Sequence, residues 1–238
     1  MPTDPTASVR SIVSQLEALG TPERRASFER TAPSALRGLG VRVPDLRVIS
    51  KALIKQHREA PPAQVKALVF ALGDEGSFEA RQVGHELLAG NRAALASLTR
   101  DELLALSRGM DNWATVDMWG EMILGVSWLR GCVDDALIMA LAGSADRWER
   151  RAALVATVAL NKKARGGKGD APRTLPICRA LAADKDDMVV KALSWALREL
   201  LEWEPGVVRG FMLEHDAVLA SRVKREVGNK LRTGKKSG

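Results

Sequence analysis

The segment Asp111-Asn112-Trp113-Ala114-Thr115-Val116-Asp117 sets an indole and a carboxylate four residues apart. On a helix that spacing puts both side chains on one face, one turn from each other. An aromatic face attracts cations, by up to about 2 kcal/mol when desolvated. A carboxylate held in a water-poor site stabilises positive charge as it develops in a transition state. The pair is therefore equipped to act on a cationic group. The competing reading is structural: a tryptophan at helical spacing commonly fills a core, and an aspartate on a helix commonly closes an ion pair or a hydrogen bond between helices. Two further residues of this kind lie downstream on helical sequence. Arg151 stands in Trp148-Glu149-Arg150-Arg151-Ala152-Ala153, and Trp195 in Lys191-Ala192-Leu193-Ser194-Trp195-Ala196-Leu197-Arg198-Glu199.

Other chemistries find less support. His57, His85 and His215 are scattered, and none stands at metal-ligand spacing from a carboxylate or cysteine, so no metal is implied. Cys132 and Cys178 sit in helical apolar patterns and read as reduced core residues of a cytosolic protein. No serine or cysteine has a histidine nearby to activate it. Gly166-Gly167-Lys168-Gly169 lacks the preceding strand and the following Ser or Thr of a phosphate-binding loop. The doublets Asp134-Asp135 and Asp186-Asp187 fall at helix starts, where acidic residues cap the backbone and complement the dipole. No cofactor is implied.

The elements that must position these residues are helical. Apolar residues recur at three- and four-residue spacing, as in Leu46, Ile49, Leu53 and Ile54 or Leu193, Leu197, Leu200 and Leu201, and no strand-like alternation is sustained. Breaks at Gly40, Pro61-Pro62, Gly73 to Gly76, Gly90, Gly109, Gly143, Gly166 to Gly169 and Pro205 leave about twelve helices of about ten to fifteen residues. A faint internal repeat is present. Phe78, Trp148 and Met188 each precede a cation by three residues, at Arg81, Arg151 and Lys191; the last two cations are 40 residues apart, the first two 70. The shorter interval fits a HEAT-type helical pair and the longer one does not, so the repeats are degenerate. Stacked helix pairs would form a superhelix with a concave face, suited to a rod-like ligand. Of the six tryptophans, Trp119, Trp128, Trp148 and Trp203 are expected in the core.

The formal net charge is +7 with a sequence pI near 9.7, which makes a polyanionic partner plausible, nucleic acid being the commonest. Positive charge gathers in the glycine-rich stretch Asn161 to Asp170, with Lys162, Lys163, Arg165 and Lys168, and again from Arg222 through Lys236. Both runs admit a phosphate-binding reading and a bland one, a solvated face with a fraying tail. Met1 to Gly20 lacks the pattern of a signal peptide, and the most apolar window, Ile123 to Ala142, is interrupted by Arg130, Asp134 and Asp135, too polar to span a bilayer.

Taken together, the segments around Trp113, Arg151 and Trp195 resemble the DNA alkylation repair family of HEAT-like-repeat DNA glycosylases, from about Gly40 to Leu231. In that family a Trp-x-x-x-Asp pair, an arginine and a second tryptophan surround the damaged nucleotide, and Trp113, Asp117, Arg151 and Trp195 are their counterparts here. The resemblance implies a monofunctional glycosylase that hydrolyses the N-glycosidic bond of cationic N3- or N7-alkylated purines in duplex DNA, without flipping the base. Asp117 would stabilise the oxocarbenium-like sugar and orient the attacking water, with Trp113 flanking the same nucleotide. Trp195 would contact the lesion-bearing nucleotide, and Arg151 would hold a phosphate or sugar oxygen, for which its planar fork is suited. Arg150, adjacent, is the alternative for that last role. Arg198, three residues after Trp195, looks like a phosphate contact, and Arg42 in the family-like segment Gly40 to Arg47 is assigned to DNA with Lys162, Lys163, Arg165 and Lys168. Three departures bear on substrate range: Val43 stands where relatives can carry a threonine, no tyrosine is available to the N-terminal helices, and the basic Gly166 to Asp170 loop looks like a small insertion between Arg151 and Trp195.

These readings define an all-α, superhelical stack of degenerate HEAT-like repeats with a concave basic face, a single domain over 1–231 and a basic tail over 232–238. The expected partner is alkylated double-stranded DNA, met by a monomer in the bacterial cytosol or nucleoid, with neither membrane nor metal. Two other readings remain: a catalytically silent DNA-binding paralogue, and a protein-interaction scaffold whose basic surface meets an acidic partner.

Overall fold

A computed structural model describes residues 5–237. Among these residues the chain is all-α and repeat-like, with fifteen α-helices, a π-helical turn and a 3-10 turn; the only β feature is an isolated bridge between Arg37 and Ser77. It divides into two compact units, one ending at Trp119 and the other beginning at Gly120.

The first unit comprises α1 (Pro5–Leu19), α2 (Pro22–Thr31), α3 (Val43–Gln56), α4 (Pro62–Asp74), α5 (Phe78–Gly90), α6 (Arg92–Ala96), α7 (Arg100–Ala105) and α8 (Trp113–Trp119). Proline opens α2 and α4, where its missing N–H is no loss and its fixed φ suits the first turn. Helix α5 is central and packs on α1, α3, α4, α6 and α8. Its Ala80, Val83, Leu87 and Leu88 are fully buried at helical spacing. A buried carboxylate on the same helix, Glu79, fixes the chain between α2 and α3. It accepts the backbone N–H groups of Leu39 at 2.8 Å, Gly40 at 2.7 Å and Val41 at 3.2 Å. Three donors aimed at one anion satisfy a buried charge that would otherwise be costly.

The second unit comprises the π turn (Gly120–Leu124), α9 (Gly125–Leu129), α10 (Asp135–Ala142), α11 (Arg147–Asn161), the 3-10 turn (Lys163–Arg165), α12 (Ala171–Ala180), α13 (Asp187–Leu200), α14 (Pro205–Glu214) and α15 (Ser221–Thr233). Helices α10 and α11, α12 and α13, and α14 and α15 pack as successive pairs, with α11 against α13 and α13 against α15. Helix α11 is buried without interruption from Arg151 to Asn161, a stretch apolar except for Arg151, Thr157 and Asn161. At Gly125 a Cβ would lie 2.5 Å from the Ala156 carbonyl, so the absence of a side chain is what lets α9 close onto α11.

The repeat read from sequence corresponds to equivalent helix starts. Phe78, Trp148 and Met188 lie in the first turns of α5, α11 and α13, capped by Ser77, Asp146 and Asp186. The two copies 40 residues apart are the mutually packed α11 and α13. Asp134 and Asp186 cap α10 and α13 as expected.

Other expectations need correction. Fifteen α-helices replace about twelve because α6 and α7 are only five and six residues long, delimited by the Asn91 cap and the Thr99–Glu102 capping box, and because the π turn divides one helical run into α8 and α9. Cys178 is buried, but Cys132 is exposed in the turn after α9, where the apolar periodicity has ended. Trp119 and Trp128 are core residues, whereas Trp148 and Trp203 are half-buried. The Arg147 guanidinium lies 4.7 Å over the Trp148 ring and the Lys163 ammonium 5.2 Å over that of Trp203, so their exposed faces are covered by cations instead of by core.

Candidate nucleic-acid interface

In the first unit, Trp113 and Asp117 share α8, and the loop before that helix holds it by its end. The Asn112 side chain, buried, accepts the N–H groups of Ala114 and Thr115, both at 3.0 Å, and donates to Ser34 Oγ at 3.1 Å. Asp111 accepts from Ser34 Oγ at 2.5 Å and from the Ala35 N–H at 2.6 Å. Burial alone would raise the pKa of Asp111; the bonds from Ser34, Ala35 and Asn112 outweigh it and hold the carboxyl below its ordinary value. The segment after α2 and the start of α8 are thereby locked together. Thr115, Val116 and Trp119 are the buried side of α8, and the Trp119 indole donates to the Leu103 carbonyl at 3.2 Å. On the other side Trp113 is 39% exposed. Its Nε1–H donates to the Thr31 carbonyl at 2.8 Å, which fixes the ring while leaving a face at the surface. Asp117 is half-buried one turn later.

In the second unit, Arg151 is buried on α11 and donates to the Met188 carbonyl in the first turn of α13. That is a contact between the packed helices α11 and α13. Arg150 is committed within the protein: Nε to Asp184 at 2.8 Å, and one terminal nitrogen to the carbonyls of Ser144 at 3.0 Å and Ala145 at 2.8 Å. Trp195 is half-buried on α13, with its indole N–H on Glu199 Oε1 at 2.9 Å and the Lys162 ammonium 5.8 Å from its ring centre. Arg198 donates to Ser194 Oγ at 3.3 Å and lies 4.0 Å from Glu226. Burial lowers its pKa, with Glu226 and Glu199 opposing.

The stretch 162–170 is stapled at both ends. The Asn161 side chain donates to the Thr157 carbonyl and to Thr174 Oγ1, both at 3.0 Å, and accepts the Asp170 N–H at 2.9 Å. The Lys168 N–H donates to the Leu160 carbonyl at 3.1 Å, and Gly166 turns the chain at φ 90°, a left-handed conformation that glycine adopts freely. Lys162 and Arg165 both point to Glu121, at 2.8 and 2.7 Å, while Lys163 and Lys168 are exposed. Arg42, at the start of α3 in the first unit, is engaged by Asp45 through two nitrogens at 2.5 and 2.9 Å.

Each unit thus gathers part of the predicted set: Trp113 with Asp117 in the first, and Trp195 with Lys162 in the second. Sequence reading missed Glu121, Asn112 and Asp111 as the groups that position these residues, and Glu79 as the anchor of the 39–41 segment before Arg42. Glu121 had a visible signal, an acid inside the apolar run Gly120 to Leu124, where a buried carboxylate requires cationic partners. Among the described residues no group of three or more His, Cys, Asp or Glu is placed to hold a metal, and no helix is long and apolar enough to cross a membrane.

The sequence pattern of the DNA alkylation repair enzymes matches residues 12–231. The chain belongs to that family. The match begins in α1, well before Gly40, so the family resemblance takes in the N-terminal helices that sequence reading left out. A solved structure described as a predicted DNA alkylation repair enzyme from Enterococcus faecalis superimposes with a TM-score of 0.72, covering 90% of this chain and 97% of that chain at 20% identity. At that identity the likeness speaks for the fold. No curated protein matches the chain. Membership of the alkylation repair family identifies DNA as the substrate class and places Trp113, Asp117, Arg151 and Trp195 all within the matched span.

Proposed function

We propose that the protein is a monofunctional DNA glycosylase that removes cationic N3- and N7-alkylated purines from duplex DNA by hydrolysis. The observation that carries this reading is on α8: an indole pinned by its N–H to Thr31 with a face at the surface, and a half-buried carboxylate one turn away on the same side. An alkylated purine already carries the positive charge that makes it a leaving group, so the C1′–N bond breaks with its electron pair returning to the base, which departs neutral. The deficit appears on the sugar. Asp117 stabilises that oxocarbenium character and orients the water whose oxygen bonds to C1′ as its proton passes to solvent. The Trp113 face adds attraction for the cationic base or sugar. Arg151 and Trp195 supply phosphate and nucleotide contacts, Arg198 a further phosphate contact, with Arg42, Lys163 and Lys168 at the DNA backbone. A surface indole serves a base that stays in the duplex, in contrast to the enclosed pockets of base-flipping enzymes. On this reading the helix pairs are degenerate HEAT-like repeats of one DNA-binding domain, acting as a monomer in the bacterial cytosol or nucleoid.

The test is release of free 7-methylguanine and 3-methyladenine from methylated duplex, followed by chromatography, with wild type and Asp117→Asn side by side. Release by wild type and none by the variant, with duplex binding retained, is expected. Wild-type excision by Asp117→Asn removes the mechanism, and release by neither protein, with duplex still bound at low salt, makes the chain a DNA-binding paralogue.

A further inference from the structure

The π turn Gly120–Leu124 is the one irregular stretch within the helical run Trp113–Leu129. One extra residue in a helix rotates the next turn by about 100°, and such turns recur at functional sites. Here the turn carries Glu121, 7% exposed. A single oxygen, Oε1, accepts from Lys162 Nζ at 2.8 Å and from Arg165 Nε at 2.7 Å. The same Lys162 ammonium faces the Trp195 ring. The loop that bears both cations is closed on itself by Arg165 N–H to the Lys162 carbonyl at 2.9 Å and Gly167 N–H to the same carbonyl at 3.1 Å. Glu121 therefore does two things at once: it sets where the two cations stand, Lys162 against Trp195, and it cancels one of their two charges.

We propose that Glu121 is a positioning residue that holds Lys162 and Arg165 as one cluster beside Trp195 and limits the attraction of that cluster for the phosphates of undamaged duplex. The proposal rests on the DNA-binding part of the function proposed above. Its logic is electrostatic. Two cations and one carboxylate present a net single positive charge to the duplex, enough to displace about one condensed counterion. A protein that must search undamaged DNA gains from restraint here, because each further phosphate neutralised strengthens binding to every sequence alike and steepens its salt dependence by about 0.9 in log K against log salt. Lys162 is also kept at the indole, where contact can follow the shape of the nucleotide at Trp195 as well as its charge.

The experiment measures affinity for a short undamaged duplex of mixed sequence between 50 and 200 mM salt, for wild type, Glu121→Gln, Glu121→Asp, Lys162→Gln and the double variant Glu121→Gln/Lys162→Gln, with circular dichroism to confirm folding. Glu121→Gln should bind more tightly at low salt and lose about 3.5-fold more affinity than wild type across that range, the consequence of one added counterion. Glu121→Asp, which keeps the charge, should return to the wild-type slope. Lys162→Gln should be shallower by about the same factor, and the double variant should regain the wild-type slope, so the proposal is tested even if Glu121→Gln alone fails to fold. Tryptophan emission should also change in Glu121→Gln, as Lys162 leaves the indole, and that change should vanish in a Trp195→Phe background. An unchanged slope in folded Glu121→Gln, or a double variant that stays as shallow as Lys162→Gln, reduces Glu121 to a structural anchor and overturns the proposal. Absence of wild-type binding even at low salt would instead overturn the DNA-binding reading on which it rests.

Discussion

Acid should destabilise this protein through His85, and the size of the effect is set by its surroundings. His85 lies on α5, 2% exposed, hydrogen-bonded to the Leu106 backbone, with no partner at Nδ1. It lines a cavity of about 210 Å³ with Val69, Phe70 and Leu106, and the charged neighbours there are Arg81 one turn earlier on the same helix, Arg108, and Asp74. Burial, then repulsion from Arg81, push its pKa down to about 3, against the opposing hydrogen bond to Leu106. The unfolded chain protonates near pH 6.5 and the folded protein does not until about pH 3, so stability is complete above pH 6.5 and is lost as pH falls toward 3. The slope is about 1.4 kcal/mol per pH unit, which gives about 2 kcal/mol lost between pH 6.5 and 5 and about 5 kcal/mol over the whole window. Urea unfolding of wild type and His85→Gln at pH 7.5, 6 and 5 measures this directly: the amide keeps a hydrogen bond but cannot titrate, so the wild-type curve should fall more steeply by about 2 kcal/mol. Parallel curves for the two proteins would refute the reasoning. The consequence for function is specific. Helix α8, which carries Trp113 and Asp117, packs on α5, so an acidic limb in the excision profile that disappears in His85→Gln reports the scaffold and not the titration of Asp117.

Glu79→Gln, which removes the charge that three backbone N–H groups share, should cost about 2 to 4 kcal/mol by urea unfolding; a cost below about 1 kcal/mol would show that the 39–41 segment is held by other means. Arg150→Ala should lower stability by about 1 to 2 kcal/mol through loss of the Asp184 and carbonyl contacts, and leave the salt slope of DNA binding unchanged. A shallower slope would return Arg150 to the DNA-contacting set. Trp113→Phe keeps an aromatic face but loses the bond to Thr31, so excision should fall while the melting temperature changes by little, since the bond is worth about 1 kcal/mol at most in an exposed position.

The helical class, the repeat and the Trp113 to Asp117 pair were legible because each is a matter of period: apolar residues at three and four, equivalent helix starts at 40, an indole and a carboxylate at four. What escaped was set by contacts between segments far apart in the chain. Nothing local distinguishes Arg150 from Arg151, yet one is drawn to Asp184 and the other to Met188. Asp111 and Asn112 read as the approach to a helix, and only the fold shows that they bind Ser34 and Ala35, some 76 residues earlier. The short helices α6 and α7 escaped because two turns carry too little periodicity to detect; their caps, Asn91 and the Thr99–Glu102 box, were the readable sign.

The formal charge of +7 is the feature whose meaning changes most between sequence and structure. A count of cations treats Arg42, Arg150, Lys162 and Arg165 as equally available to phosphate. In the folded chain Arg42 is held by Asp45, Arg150 by Asp184, and Lys162 with Arg165 by Glu121. These pairs differ in consequence. The Arg42 pair is largely exposed and therefore worth little, so phosphate competes for that guanidinium at small cost. Arg150 is three-fold engaged with much of its guanidinium withdrawn from solvent, so drawing it toward DNA would leave Asp184 and two carbonyls without their donor. The Glu121 cluster lies between these limits, because two cations share one carboxylate, and a phosphate that draws one of them away changes the balance at the other. On the proposed DNA-binding reading, affinity follows less from how many cations the chain carries than from which carboxylates already hold them.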